Sequence, residues 1–329
     1  MIDSNRRSVL RVAALAAATA ALSTSEPLHA QAYPNKPIKL VVAFPPGGPT
    51  DIVARAIAGK LSEQMGQAVL VENKAGAGGN LGADFVAKSA PDGYTLFYNT
   101  SAIAIAPALY GKLSYDVLKD FEPIVATAAV AMVLLVHPSF PAKNVREWIA
   151  HVKANPDKIN YASTGSGTIT HLAMAALASH AGLSLQHVPY KGSSPALVDL
   201  VAGTTTTMID TMNSSLPFVR DGRLRALAVT TGKRSKVFPD LPTLNETELP
   251  GMQMSAWQGL LAPAGTPKAI IDKLVVDVTK VLAAADVQDK LAAQGTEVIG
   301  STTAEYASFV RAELARWSKL VKETGAKAD

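Results

Sequence analysis

Two loops in this sequence concentrate the groups that hold an anion. In Phe44-Pro45-Pro46-Gly47-Gly48-Pro49-Thr50-Asp51, stiff prolines flank side-chain-free glycines, so backbone N–H groups can approach a carboxylate closely. The same residues have a structural reading, with Thr50 as the N-cap of the next helix and Asp51 favouring its dipole. Ser163-Thr164-Gly165-Ser166-Gly167-Thr168 gathers hydroxyls and glycines at the start of another helix and is the stronger anion candidate; the alternative is a flexible loop. His171, one turn further on, either faces a cleft or serves as a structural hydrogen-bonding residue. Asp210 ends an apolar run before Thr211-Met212-Asn213-Ser214-Ser215. It can accept a hydrogen bond from a ligand ammonium, hydroxyl or protonated carboxyl, cap the helix beginning near Ser214, or hold a neighbouring loop. Asn99 opens a third polar loop, Asn99-Thr100-Ser101. The candidate contacts are therefore Phe44, Gly47, Gly48, Thr50, Asp51, Asn99, Ser163, Thr164, Gly167, Thr168, His171 and Asp210. Trp257 and Tyr190 fit core or hinge packing better than a pocket lining.

Catalytic templates fail residue by residue. Lys60, Lys112 and Lys233 each follow a glycine but lack the earlier glycine of a P-loop, and Leu81 stands where a dinucleotide fingerprint after Gly76 needs its third glycine. Ser166 has Thr164 rather than glycine two residues before it, so the nucleophile elbow is missing. The histidines show no H-x-x-x-H spacing for zinc. No metal and no cofactor is expected. The rival readings are an exported serine hydrolase using Ser163 or Ser166 with His171, which lacks a clear orienting acid, and a nucleotide-dependent oxidoreductase, which the broken fingerprint disfavours.

The elements that must position these groups alternate. Ile38–Phe44, Ala68–Glu72 and Thr95–Tyr98 read as short buried strands, each running into a polar or glycine-rich loop. After the first, Val53, Ile57, Leu61 and Met65 recur every four residues as a helix stripe. Met132–Val136, Asn160–Ala162, Thr206–Asp210 and Leu224–Thr230 repeat the theme, and helices follow at roughly 267–293 and 303–323. This is an α/β pattern of largely parallel sheets flanked by helices. The chain has 329 residues, and a mature part of about 300 suits two lobes. The expected lobes are 33–131 with 256–329, and 132–255, with chain crossings near 130 and 255.

The N-terminus carries Arg6, Arg7 and Arg11 before the uncharged run Val12–Leu22, then Ala30 and Ala32 in an A-x-A arrangement. That pattern predicts a signal peptide over 1–32 and export, by the general secretory route or, given the paired arginines, the twin-arginine route. No cysteine occurs, which removes disulfides, thiolate sites and a lipid-attachment cysteine. Net charge is +4; residues 1–30 hold three arginines against two acids, so the remainder carries 4 − (3 − 2) = +3. So small a surplus without a basic block argues against nucleic acid.

Longer stretches resemble a known family. Tyr33-Pro34-Asn35-Lys36-Pro37-Ile38, Phe44-Pro45-Pro46-Gly47-Gly48, Val71 through Asn80, Ala90-Pro91-Asp92-Gly93-Tyr94-Thr95-Leu96, Val188-Pro189-Tyr190-Lys191-Gly192, Leu224 through Val229 and Leu260 through Pro267 are similar, in order, to the Bug or TctC family of extracytoplasmic solute receptors. The resemblance implies a type II periplasmic-binding-protein fold, two α/β lobes hinged by crossing strands. It also implies capture of a small carboxylate by the loops Phe44–Asp51 and Ser163–Thr168, in the periplasm, by a monomer that delivers to membrane permease subunits of a tripartite tricarboxylate transporter. Asp210 matches an aspartate the family commonly carries near the distal end of the ligand, although Ile209 and Thr211 replace its usual neighbours. Pro49 replaces a commoner Ser or Thr and removes one N–H donor.

Overall fold

In the computed structural model, residues 33–326 are described; the expected leader, 1–32, lies outside them. The strand β1 (Ile38–Val42) leads to α1 (Pro49–Met65), β2 (Val69–Asn73) through a 3-10 turn (Ala77–Gly79) to α2 (Asn80–Ala87), and β3 (Thr95–Thr100) to α3 (Ala102–Leu109). β4 (Phe121–Val136) carries the chain onward to α4 (Val145–Ala154), β5 (Asn160–Ser163), α5 (Ile169–Ala181), β6 (Gln186–Pro189), α6 (Ser193–Val201), β7 (Thr207–Thr211), α7 (Met212–Arg220) and β8 (Arg225–Val229). β9 (Ser255–Pro263) returns, followed by α8 (Lys268–Ala283), α9 (Ala285–Ala292), β10 (Thr296–Val298) and α10 (Thr303–Thr324).

The strands run in the order β2-β1-β3-β9-β4-β7-β5-β6, with β10 and β8 also paired to β4. Parallel pairs lie on the two flanks, where helical crossovers connect the strands: β1 with β2 and β3, β5 with β6 and β7. The centre is antiparallel. Residues Phe121 to Ala131 of β4 pair with β9, Met132 to Val136 pair with β7 on one side, and Val133 to Val136 pair with β8 on the other. One strand therefore belongs to both halves of a bilobed, curled mixed sheet. Its sequence, FEPIVATAAVAMVLLV, is apolar almost throughout and nearly every residue is buried, as a strand covered on both faces requires.

Two cores flank this seam. On one side Val53, Ile57 and Leu61 of α1 pack at four-residue spacing onto Ile38, Leu40 and Leu96, all buried. Each such side chain is worth roughly 1.5 to 3 kcal/mol relative to exposure. On the other, Val133, Leu135, Ala162, Met208 and Leu200 form a single cluster. The stretch 267–293 is divided at Ala284, whose extended backbone (φ −67°, ψ 128°) ends α8 and starts α9. The first helix begins at Pro49 with Gly48 as its N-cap, two residues earlier than a Thr50 cap implies, because proline's fixed φ is already helical.

Close approach at one glycine ties the last helix to the sheet. A Cβ on Gly259 of β9 would lie 2.1 Å from the hydroxyl oxygen of Tyr306 in α10. That hydroxyl donates to Asn99 Oδ1 at 2.8 Å. Gly259→Ala is expected to destabilise the fold by roughly 2 to 4 kcal/mol, combining overpacking with the lost hydrogen bond. The check is a urea unfolding curve whose midpoint falls while its slope stays unchanged.

Candidate functional site

Both halves send helix N-termini toward one cleft. Gly48, Ser101, Thr168, Gly192 and Thr211 are the N-cap residues of α1, α3, α5, α6 and α7, and all five line the same cavity. It holds about 560 Å³ of atom-free space, part of it continuous with solvent. Two of the five caps are glycines, and in the other three the cap side chain accepts no hydrogen bond from a backbone N–H of its own helix. Away from the cleft, Asn144 caps α4 through Glu147 N–H, and Thr302 and Glu305 cap α10 reciprocally. The first-turn N–H groups of a helix have no intrahelical partner, so the cleft collects donors and the positive ends of five dipoles.

No Lys, Arg or His is among the lining residues. The one ionisable group there is Asp210, fully buried at the end of β7. Ser193 donates to its Oδ1 and Ser214 to its Oδ2, each at 2.8 Å. Burial pushes its carboxyl up to about 6, against the opposing pull of hydrogen bonds from Ser193, Ser214 and Thr211. Ser101 Oγ and Gln258 Oε1 are buried without a hydrogen-bond partner, and both residues line the cavity. Phe44, Pro45, Pro49, Ile169, Ala102 and Ala256 supply its apolar wall. The chemistry on offer is neutral and directional: N–H and O–H donors for an anionic head, an apolar surface for a body, and one protonatable acceptor.

Of the residues expected from sequence, Phe44, Gly48, Thr50, Thr164, Thr168 and Asp210 line the cavity. Gly47, Asp51, Asn99, Ser163, Gly167 and His171 lie outside its lining. Asp51 sits behind the first loop, receiving Gly47 N–H at 2.9 Å, Arg55 Nε at 2.8 Å and Asn73 Nδ2 at 2.9 Å. Burial works against its charge, but these three partners together hold its carboxyl below the usual range. Asn99 is on the opposite strand face from Thr100, which does line the cavity, and so meets Tyr306 instead.

The second loop is shaped by its hydroxyls. Thr164 N–H donates to Thr170 Oγ1 at 2.9 Å, and Thr168 Oγ1 donates to Gly165 O at 2.7 Å. Gly167 N–H donates to Nδ1 of His171, whose ring stacks on His187 with centroids 4.0 Å apart. Ser163 Oγ lies 2.6 Å from Nε2 of His187, not against His171, and is fully buried. A nucleophile needs access to its substrate, and Ser163 has none. Thr100, Ser101, Thr170, Ser193, Ser194, Thr211 and Gln258 complete the lining and escaped the sequence reading. Gly192-Ser193-Ser194-Pro195 carries a usable signal, since glycine, hydroxyls and a proline mark a helix start as clearly as Phe44–Asp51 and Ser163–Thr168 do.

The halves touch across the cleft. Tyr110 Oη donates to Ser166 O at 3.1 Å, and Asn213 Nδ2 donates to Pro49 O at 3.1 Å. Gly167, at φ +80°, leaves room for this approach: a Cβ there would be 2.6 Å from Leu109 Cδ2.

Known proteins are similar to this chain in sequence and fold. The pattern of the tripartite tricarboxylate transporter family receptor, TctC, matches residues 53–326. Protein BugT of Bordetella pertussis is 38% identical over 325 residues, 98% of this chain and 99% of its own. The structure of Rpa4515 from R. palustris with adipate is 36% identical and superposes with a TM-score of 0.88, covering 90% of this chain and all of that one. MatC from Rhodopseudomonas palustris with bound malate is 36% identical, with a TM-score of 0.84 over 88% of this chain and all of its own. With agreement over nearly its whole length, the chain belongs to the Bug or TctC family of periplasmic solute-binding receptors of tripartite tricarboxylate transporters, which bind their solute and do not transform it.

Proposed function

We propose that this receptor captures a small carboxylate in the cleft, with the anionic head on the uncapped starts of α1 and α5 and the body toward Asp210. The convergence of five helix N-termini whose N-cap residues accept no backbone N–H through their side chains carries this reading. It is supported by relatives described with adipate and with malate. Thr50, Thr164 and Thr168 contact the head, Gly48 lets backbone approach it, and Phe44 packs on the body. Gly47, Asp51, Asn99, Ser163, Gly167 and His171 act from behind the wall, fixing the loops that make contact. Each N–H bond to a charged carboxylate contributes roughly 1.5 to 3 kcal/mol net, so three or four give micromolar binding after association costs.

In this reading residues 1–32 are removed on export and the monomer delivers its solute to membrane permease subunits. The lobes, 33–131 with 256–329 and 132–255, close by rotation about the β4 and β9 crossings. Among the described residues no helix is long and apolar enough to cross a membrane.

The test is thermal unfolding of the chain from residue 33 onward against mono-, di- and tricarboxylates at about 1 mM. A ligand at a hundred times its Kd adds about 2.7 kcal/mol, and the midpoint should rise by roughly 5 to 10 °C for one chemical class. No shift with any carboxylate, in protein freed of co-purified ligand by unfolding and refolding, would refute the site.

A further inference from the structure

A second, smaller chamber lies beside the cleft, a recess of about 230 Å³ of atom-free space, part of it continuous with solvent. Phe44, Thr100 and Ala102 line both spaces, so they form the wall between them. The rest of the second chamber is apolar on most sides, with Ala43, Phe97, Ile103 and Tyr115. Asn80 also lines it, with its Oδ1 occupied by the Tyr115 hydroxyl at 2.6 Å. Phe97 and Tyr115 both pack against Phe121, which holds this wall in place.

Of the three shared residues, Thr100 and Ala102 are anchored in backbone structure, the end of β3 and the start of α3, and Ala102 N–H donates to Thr100 Oγ1. Phe44 alone contributes a large, half-buried side chain from a loop. Its ring edge lies 3.5 Å from where a Cβ on Gly79 would stand, at the floor of the second chamber. Gly79 has none, so the ring rests against bare backbone at that point.

We infer that Phe44 is the length gauge of this receptor: its ring ends the cleft for short carboxylates and stands between it and a small apolar recess that a shorter side chain at this position would join to the cleft for longer ones. This rests on the carboxylate reading of the cleft. An extra methylene that finds an apolar slot gains roughly tenfold or more in affinity, and one that meets a wall loses a comparable factor. The position of the wall therefore sets which chain length binds best.

The experiment is calorimetric titration of straight-chain dicarboxylates of about four to ten carbons, and of 3-phenylpropionate, into the wild type and into Phe44→Ala and Phe44→Leu. In the wild type affinity should peak at a short member and fall about tenfold or more beyond it. Phe44→Ala should move the peak at least two carbons longer, with Phe44→Leu between them. Phe44→Leu keeps an apolar side chain on Gly79, so it preserves the comparison should the alanine variant fold poorly. Uniform weakening of every probe by Phe44→Leu, with the peak unmoved, would overturn the gauge and leave the carboxylate site intact. A wild type that binds none of the probes, and no acid of the wider panel, would remove the carboxylate site itself.

Discussion

Replacing Glu313 with leucine should lower the stability of the protein by about 3 to 5 kcal/mol, the largest loss expected from any single side chain discussed. Trp257 Nε1 in β9 and Trp317 Nε1 in α10 both donate to Glu313 Oε2, at 2.7 and 2.8 Å. Arg316 reaches its other oxygen at 3.1 Å. The carboxylate is buried, as are both indoles. Removing it strands two buried N–H donors at once, and each costs about 1 to 3 kcal/mol to leave unpaired. Leucine's gain in apolar burial offsets only part of that. With 2 to 4 °C per kcal/mol for a chain of roughly this size, the thermal midpoint should fall by about 6 to 15 °C. Glu313→Gln keeps one acceptor oxygen and should lose less than half as much. Equal losses in the two variants would show that packing of α10, and not acceptance of the indole protons, is what Glu313 provides.

Asp210→Asn should change how stability depends on pH. Burial lifts the folded carboxyl from the ordinary 3.8 to about 6. A group whose folded pKa is raised contributes stability that is complete below the unfolded value and disappears as pH climbs through the folded one. For a shift of about two units that is on the order of 3 kcal/mol lost between about pH 4 and pH 6.5. Asparagine has no charge to desolvate and can still accept from Ser193, so this part of the pH dependence should vanish. Melting both proteins at pH 4.5 and 7.5 gives the comparison: the wild type should lose stability relative to the variant as pH rises. Parallel changes would mean that the serine hydroxyls and the helix starts already support an ionised Asp210. Ligand binding should follow the same proton, since an anion entering beside a charged Asp210 meets a like charge that a protonated one does not present.

Much of this site can be read from the chain, for a physical reason. Phe44–Asp51 and Ser163–Thr168 declare themselves because a loop entering a helix near a ligand needs glycine for approach, proline or hydroxyls for the helix start, and little else. Their residues stand together in sequence. What escapes is set by alternation and by pairing between distant strands. Asn99 and Thr100 are equally polar, and only the strand's facing decides that Thr100 meets the cleft while Asn99 meets Tyr306. Ser163 finds His187 because β5 and β6 are neighbours, which proximity along the chain to His171 disguises. Gln258 was visible as a polar residue inside an apolar strand run, but its buried, unpartnered Oε1 is a property of the folded cleft. The alternating pattern likewise gave the parallel flanks, while the antiparallel centre depends on where β4 and β9 return.

The placement of β9 also bears on how this chain reaches its fold. β9 lies between β3 and β4 and pairs with both, although Leu261 is far along the chain from its partner Phe97. The strands β1 to β3, made first, have no finished sheet to join until nearly the last quarter of the polypeptide arrives. The segment from β5 to β8 has its partners close in sequence, apart from the end of β4, which precedes it. Contacts of high sequence separation form slowly, so the half synthesised in the middle is positioned to order first and the half that begins the chain to order last. The N-terminal half should accordingly gain hydrogen-exchange protection after the middle one during refolding.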